Sequence, residues 1–207
     1  MRHRSLQAIA GLTLFAGGIA FSSAAETVKG DPAKAAPIVE RLCMACHGQD
    51  GNSLVPSFPK LAGQRPEYLL HEMQEYKTKH RDNEMMSPVV LELSAADMAN
   101  LAVYFAAQKP VPGTPTEPGL LALGKKIYLE GNSESGLPSC DGCHEENGNG
   151  SARFPRIAGQ NPEYTLEQFH LYATGKRKFG KKVMVTVAER ITEQEAKAVA
   201  EYIASMP

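Results

Sequence analysis

Cys43-Met44-Ala45-Cys46-His47 and Cys140-Asp141-Gly142-Cys143-His144 are two copies of one pattern, Cys-x-x-Cys-His, set 97 residues apart. Together they use all four cysteines of the chain. This spacing is the c-type haem attachment signal. The two thiols can add to the two vinyl groups of a haem as thioethers, and the His that follows then lies under the iron. A four-thiolate zinc site has no need of a His after each pair. A thioredoxin-type disulfide calls for a sheet-based fold and one motif, and a disulfide within either pair closes a strained, short loop. The expectation is two covalently bound haem c groups. Cys43, Cys46, Cys140 and Cys143 attach them, and His47 and His144 are metal ligands.

The duplication extends beyond the cysteines. Pro59-Lys60-Leu61-Ala62-Gly63-Gln64-Arg65-Pro66-Glu67-Tyr68 returns at offset 96 as Pro155-Arg156-Ile157-Ala158-Gly159-Gln160-Asn161-Pro162-Glu163-Tyr164. The final helices repeat at offset 98, Tyr104 to Tyr202. Such self-similarity means two copies of one unit. Each copy is about 85 residues, small for a free-standing core, so a cofactor is expected to help hold it. Between them, Lys109-Pro110-Val111-Pro112-Gly113-Thr114-Pro115-Thr116-Glu117-Pro118 reads as an extended, semi-rigid linker. The expected division is a first domain at 26–109, a Pro-rich linker at 110–118 and a second domain at 119–207.

Each copy reads as helical. Ser94 with Asp97, and Thr192 with Glu195, resemble capping boxes opening the terminal helices. Pro66 and Pro162 suit the first position of a middle helix. Its inward residues should include Tyr68, Leu69 and Tyr76, then Tyr164, Leu166 and Tyr172. A first helix is expected around Pro32–Leu42 and Leu120–Leu129. Val183–Val187 is the one short candidate strand. The fold class is therefore all-α.

Residues 1–25 stand apart. Arg2 and Arg4 precede an apolar run from Leu6 to Phe21, which ends in Ser22-Ser23-Ala24-Ala25. This is the layout of a secretory signal peptide, with cleavage expected after Ala25. The run is short of the roughly 20 apolar residues that a membrane span needs. Retention as an anchor, and with it peripheral membrane association, stays open. The remaining chain carries a formal charge of −3, and the whole chain −1. That balance argues against a nucleic-acid partner. Hydrophobic residues at 43% and charged residues at 22% are ordinary globular values, which argues against wholesale disorder.

A His-bound iron needs an opposite ligand or an open face. His71, His80 and His170 have no His counterparts in the other copy. Met86 pairs with Met184 in the terminal-helix register, and they follow His47 and His144 by 39 and 40 residues. Met86 and Met184 are thus the expected axial ligands, with Met85 a near competitor of Met86. Pro59 and Pro155, in the loop after each His, mark where a carbonyl should accept the Nδ1–H of the proximal ring. Lys176, Arg177, Lys178, Lys181 and Lys182 form either a surface steering an acidic redox partner or a solvated loop.

Two Cys-x-x-Cys-His units, each followed by Pro-x-Leu/Ile-Ala-Gly-Gln and then by a Met before a capped helix with a Tyr, resemble the diheme cytochrome c4 family. The resemblance covers nearly all the chain after residue 25. It implies two tandem class I cytochrome c domains related by a pseudo-twofold, with haem edges facing one another. It implies His47 and Met86 on the first iron, and His144 and Met184 on the second. It also implies a periplasmic electron carrier, not an enzyme. Its partners would be redox proteins such as a terminal oxidase, an upstream cytochrome complex or a periplasmic reductase. The competing readings are an electron-transfer subunit of a periplasmic dehydrogenase complex and a diheme peroxidase. One departure from the family pattern is Ala36, seven before Cys43, where a Gly is usual. The second unit keeps Gly124, with an inserted loop at Gly131–Ser139.

Overall fold

Prolines open three of the helices and reciprocal side-chain caps open two others in the computed structural model of the chain, which describes residues 28–178 and 182–207. The expected signal segment, its cleavage point and Lys181 lie outside the described residues. In the first half, α1 (Pro32–Ile38) runs through a π-helical turn (Val39–Cys43) into α2 (Met44–His47), followed by α3 (Pro66–Lys77), α4 (Met86–Leu91) and α5 (Ala95–Ala106). In the second, a 3₁₀ turn (Pro118–Leu120) leads into α6 (Leu121–Glu130), then α7 (Asp141–His144), α8 (Pro162–Ala173), α9 (Val183–Arg190) and α10 (Glu193–Ser205). The only β pairing among the described residues is an isolated bridge from Asn132 to Leu137.

Both capping boxes are complete. Ser94 accepts from the Asp97 amide and Thr192 from the Glu195 amide, and each acid accepts from the cap's own N–H. Pro66 and Pro162 each stand at the first helical position, where the missing N–H costs nothing. Leu69, Tyr76 and Tyr172 are buried, while Tyr68, Tyr164 and Leu166 are half-buried.

Two expectations are corrected. Val183–Val187 is not a strand. It is the start of α9, which has no neighbouring strand to pair with and packs against α8. The first helix does not stop at Leu42 but continues through the attachment motif to His47.

The π-helical turn also explains Ala36. Seven residues is two α-helical turns, but a π turn inserts one extra residue. The face that meets α5 is therefore reached eight residues before Cys43, at Ala35, which is fully buried, while Ala36 is exposed. Gly124 does serve the crossing in the second half. A Cβ there would sit 2.0 Å from the Ala198 carbonyl oxygen of α10.

Each half has its own core. Val39, Leu69, Val90, Leu101 and Phe105 lie in the first, and Ile127, Tyr128, Val199 and Ile203 in the second. The linker forms no helix or strand before Pro118 but is strapped down. Lys60 Nζ donates to the carbonyls of Val111 (2.8 Å) and Pro112 (2.9 Å). The amides of Thr116 and Glu117 donate to the Glu201 carboxylate.

Candidate functional site

The two attachment motifs sit on single helical turns. His47 and His144 are buried, 6% and 8% exposed. Each ring is fixed from behind. His47 Nδ1 donates to the Pro59 carbonyl at 2.9 Å, and His144 Nδ1 to the Pro155 carbonyl at 3.0 Å. Because a carbonyl can only accept, Nδ1 carries the proton and Nε2 keeps its lone pair for a metal. Burial pushes both imidazoles below their ordinary pKa, against the opposing pull of the carbonyl hydrogen bond, so the neutral form is held. Phe58 and Phe154 stand at equivalent places beside the rings, with centroids 6.4 and 6.2 Å away.

None of the four cysteines is paired in a disulfide, and each is half-buried. Burial raises the Cys43 thiol to about 11 and the Cys140 thiol to about 12, so both remain protonated at neutral pH. No three His, Cys, Asp or Glu side chains converge to hold a metal ion among the described residues, so the thiols of the two halves do not form a shared zinc site. Met86 is half-buried and packs, like Cys43, against the first core, whereas the adjacent Met85 is 51% exposed. Met184 is half-buried in the first turn of α9, between exposed Val183 and half-buried Val185. His80 and His170 are exposed.

The loops carrying Pro59 and Pro155 are built alike. Gly63 (φ 66°) and Gly159 (φ 70°) turn in the left-handed region. Their amides donate to the last turns of the terminal helices, at Phe105 and Ile203. These loops face one another across the two halves. The Gln64 side chain spans the Arg156 backbone, with Nε2 donating to its carbonyl and Oε1 accepting from its amide, both at 2.8 Å. Gln160 does the same to Lys60, at 3.0 and 2.8 Å.

Beside this contact lies a buried charge cluster. Arg81 and Arg177 both bond to Glu72, and both reach Gln168 Oε1 (3.0 and 2.7 Å). Arg81 meets the Tyr164 hydroxyl at 3.3 Å and Arg177 the Tyr68 hydroxyl at 2.5 Å. Each guanidinium stacks on a tyrosine of its own half, Tyr76 or Tyr172. Arg177 was expected in an exposed basic cluster. It is only 4% exposed, because it spans the two halves to reach Glu72, and only Lys176, Lys178 and Lys182 remain at the surface among the described residues. Phe58, Tyr68, Tyr76 and Arg81 recur at offset 96 as Phe154, Tyr164, Tyr172 and Arg177, and of these the arginines and phenylalanines lie outside the inward-facing residues expected from the sequence.

The donor set fits a haem in each half. In each half a pair of cysteines precedes a His whose Nε2 is free to bind iron. The Nε atom of Arg156 is a buried donor with no protein partner, which suits a group bearing carboxylates.

The comparisons with known proteins agree. The cytochrome c family profile matches residues 32–109 and again 121–207. Cytochrome c4 of Thiocapsa roseopersicina is 38% identical over 178 residues, covering 84% of this chain and 92% of that protein. A thiosulfate dehydrogenase electron acceptor of Thiomonas intermedia is 33% identical over 180 residues, covering 84% of this chain and 82% of that one. The crystal structure of reduced cytochrome c4 from Pseudomonas stutzeri superposes with a TM-score of 0.82 at 34% identity, covering 86% of this chain and 100% of that one. The chain belongs to the diheme cytochrome c4 family, whose members are electron carriers with two covalently bound haem c groups.

Proposed function

We propose that the chain works in the periplasm, with His47 and Met86 ligating the first iron and His144 and Met184 the second. Cys43 and Cys46 attach the first haem, and Cys140 and Cys143 the second. When bound, each haem supplies reversible one-electron chemistry at iron. The chain's own residues orient and shield it. Pro59 and Pro155 hold the proximal rings, Phe58 and Phe154 flank them, and the two cores exclude water. Ligation by the Met86 and Met184 thioethers would favour ferrous iron and so a relatively high potential. The domains are taken as 26–109 and 119–207.

The observation that carries the ligand assignment is the contrast between half-buried Met86, packed on the first core, and exposed Met85. Optical spectra of Met86→Ala, Met184→Ala and Met85→Ala holoproteins test it. The first two should each lose half of the Met–iron charge-transfer band, and the third should keep all of it. Loss of the band in Met85→Ala would reverse the assignment.

Export rests on the signal-like segment at residues 1–25 and on the attachment motifs. No described helix is long and apolar enough to cross a membrane. The N-terminal sequence of the purified protein tests cleavage after Ala25. A second reading, an electron-accepting subunit bound to a periplasmic dehydrogenase, is favoured by the likeness to the thiosulfate dehydrogenase electron acceptor. Co-purification of a stoichiometric dehydrogenase would select it. The remaining candidate partners are a terminal oxidase, an upstream cytochrome complex and a periplasmic reductase.

A further inference from the structure

The peptide unit between Pro59 and Lys60 is used from both ends. Its carbonyl accepts from His47 Nδ1 at 2.9 Å, and its N–H donates to Gln160 Oε1 at 2.8 Å. The peptide unit between Pro155 and Arg156 repeats this, with His144 at 3.0 Å and Gln64 Oε1 at 2.8 Å. Each proximal His is thus joined, through one amide plane, to a glutamine of the opposite half.

Both glutamines are locked. Gln64 Oε1 also accepts from the Arg65 amide and Gln160 Oε1 from the Asn161 amide, each at 2.9 Å. Two N–H groups converging on one atom fix it as the oxygen. The Nε2 of each amide is held by the Arg156 or Lys60 carbonyl. Gln64 is buried, at 7% exposure, so water does not substitute for it freely.

An amide whose N–H is hydrogen-bonded is polarised. Electron density moves to its oxygen, which becomes a stronger acceptor, and such chains strengthen by about 10–30% per bond in a low-dielectric interior. A stronger acceptor at Nδ1 gives the imidazole more anionic character, and this raises the donor strength of Nε2. A stronger donor stabilises ferric over ferrous iron.

We infer that Gln160 is a positioning residue that tunes the first haem, and Gln64 one that tunes the second, each acting across the domain boundary through a single peptide unit. The influence is crossed: each half sets the proximal ligand of the other. This rests on the assignment of His47 and His144 as ligands proposed above.

The test is a redox titration of the holoprotein, followed for each haem separately by its NMR signals, in Gln160→Leu and Gln64→Leu. In Gln160→Leu the ferrous-to-ferric ratio of the first haem, at fixed potential, should rise about threefold, which is about 30 mV at 59 mV per tenfold. The second haem should move less than half as far. Gln64→Leu should give the mirror result. In the ferrous state, the Nδ1–H resonance of the ring opposite the substitution should move upfield. Gln160→Glu and Gln64→Glu keep a stronger acceptor on the same N–H, so their shifts should have the opposite sign in the same haem. They also decide the matter if a leucine variant does not fold.

A shift confined to the substituted half, an equal shift of both haems, no shift, or glutamates that shift the same way as leucines would each overturn the inference. If these occur while both irons still show His and Met ligation, the ligand assignment stands and the crossed tuning alone is lost. If His47 or His144 is found off the iron in the unsubstituted protein, it is the assignment that fails.

Discussion

Glu72 and Gln168 occupy equivalent places on α3 and α8, 96 residues apart, yet only Glu72 carries a charge. Every other member of the buried cluster is matched: Tyr68 with Tyr164, Tyr76 with Tyr172, Arg81 with Arg177. Two guanidiniums therefore share a single carboxylate, and the pseudo-twofold is broken at one atom pair. Burial alone would push the Glu72 carboxyl up, but Arg177 and then Arg81, by charge and hydrogen bond, more than offset it. Its pKa lies below the ordinary carboxylate value.

Replacing this carboxylate restores the symmetry and removes the counter-charge. Glu72→Gln leaves two buried guanidiniums uncompensated, a change that costs about 3 kcal/mol in comparable buried pairs. Chemical denaturation of the holoprotein should register that loss, whereas Glu75→Gln on the same helix should stay within about 0.5 kcal/mol.

The same group predicts an acid limit. An unfolded Glu titrates near 4.3 by reference, and the folded Glu72 titrates lower. The stabilisation it contributes is complete above about pH 4.3 and is lost as pH falls through the lower folded value. Unfolding free energy measured down the acid branch should fall less steeply in Glu72→Gln than in the unsubstituted protein. Parallel branches would show that the carboxyl titrates alike in the folded and unfolded states.

The crossing of α6 and α10 predicts a sharp contrast between two small residues. Gly124→Ala sets a methyl 2.0 Å from the Ala198 oxygen and 2.7 Å from Tyr202 Cβ, neither of which is the far end of a flexible side chain. Overpacking of this kind costs about 1–3 kcal/mol, and here the upper end is expected. Ala36→Ser, at an exposed position, should cost no more than about 0.5 kcal/mol. Thermal melts of the two variants separate these outcomes.

Removing one attachment thiol tests how much each haem supports its own half. Cys43→Ala and Cys140→Ala should give unstable protein lacking normal attachment of one haem. The haem-to-protein ratio and protease resistance of the exported protein measure both effects. Stable protein with two fully attached haems would sink the expectation.

Much of this was legible because duplication doubles every signal. The capping acids, the helix-starting prolines and the carbonyls behind His47 and His144 each appear twice, so chance agreement is improbable. What was missed depends on geometry that a pattern does not record. The β-branched run Val183–Val187 has strand composition but no partner strand, so it packs as a helix on α8. Ala36 was misplaced because a π turn shifts the helical register by one, and residue counting assumes an unbroken α-helix. Arg177 looked like one member of a solvated basic loop, since sequence distance hides that Glu72 lies across the interface. The glutamines stood in plain view within the repeated motif. Their role appears only when the two copies are brought face to face.

A patch on which Gln64 clasps Arg156 while Gln160 clasps Lys60 is isologous: the same surface supplies both sides of the contact. A lone unit bearing that patch can pair with another copy of itself. Fusing two such units turns a concentration-dependent encounter into an intramolecular one, at an effective concentration in the millimolar range for a short tether. Fusion also frees the copies from identity. A homodimer would carry either two glutamates or two glutamines at the position of Glu72 and Gln168, and only a covalent pair can hold one of each.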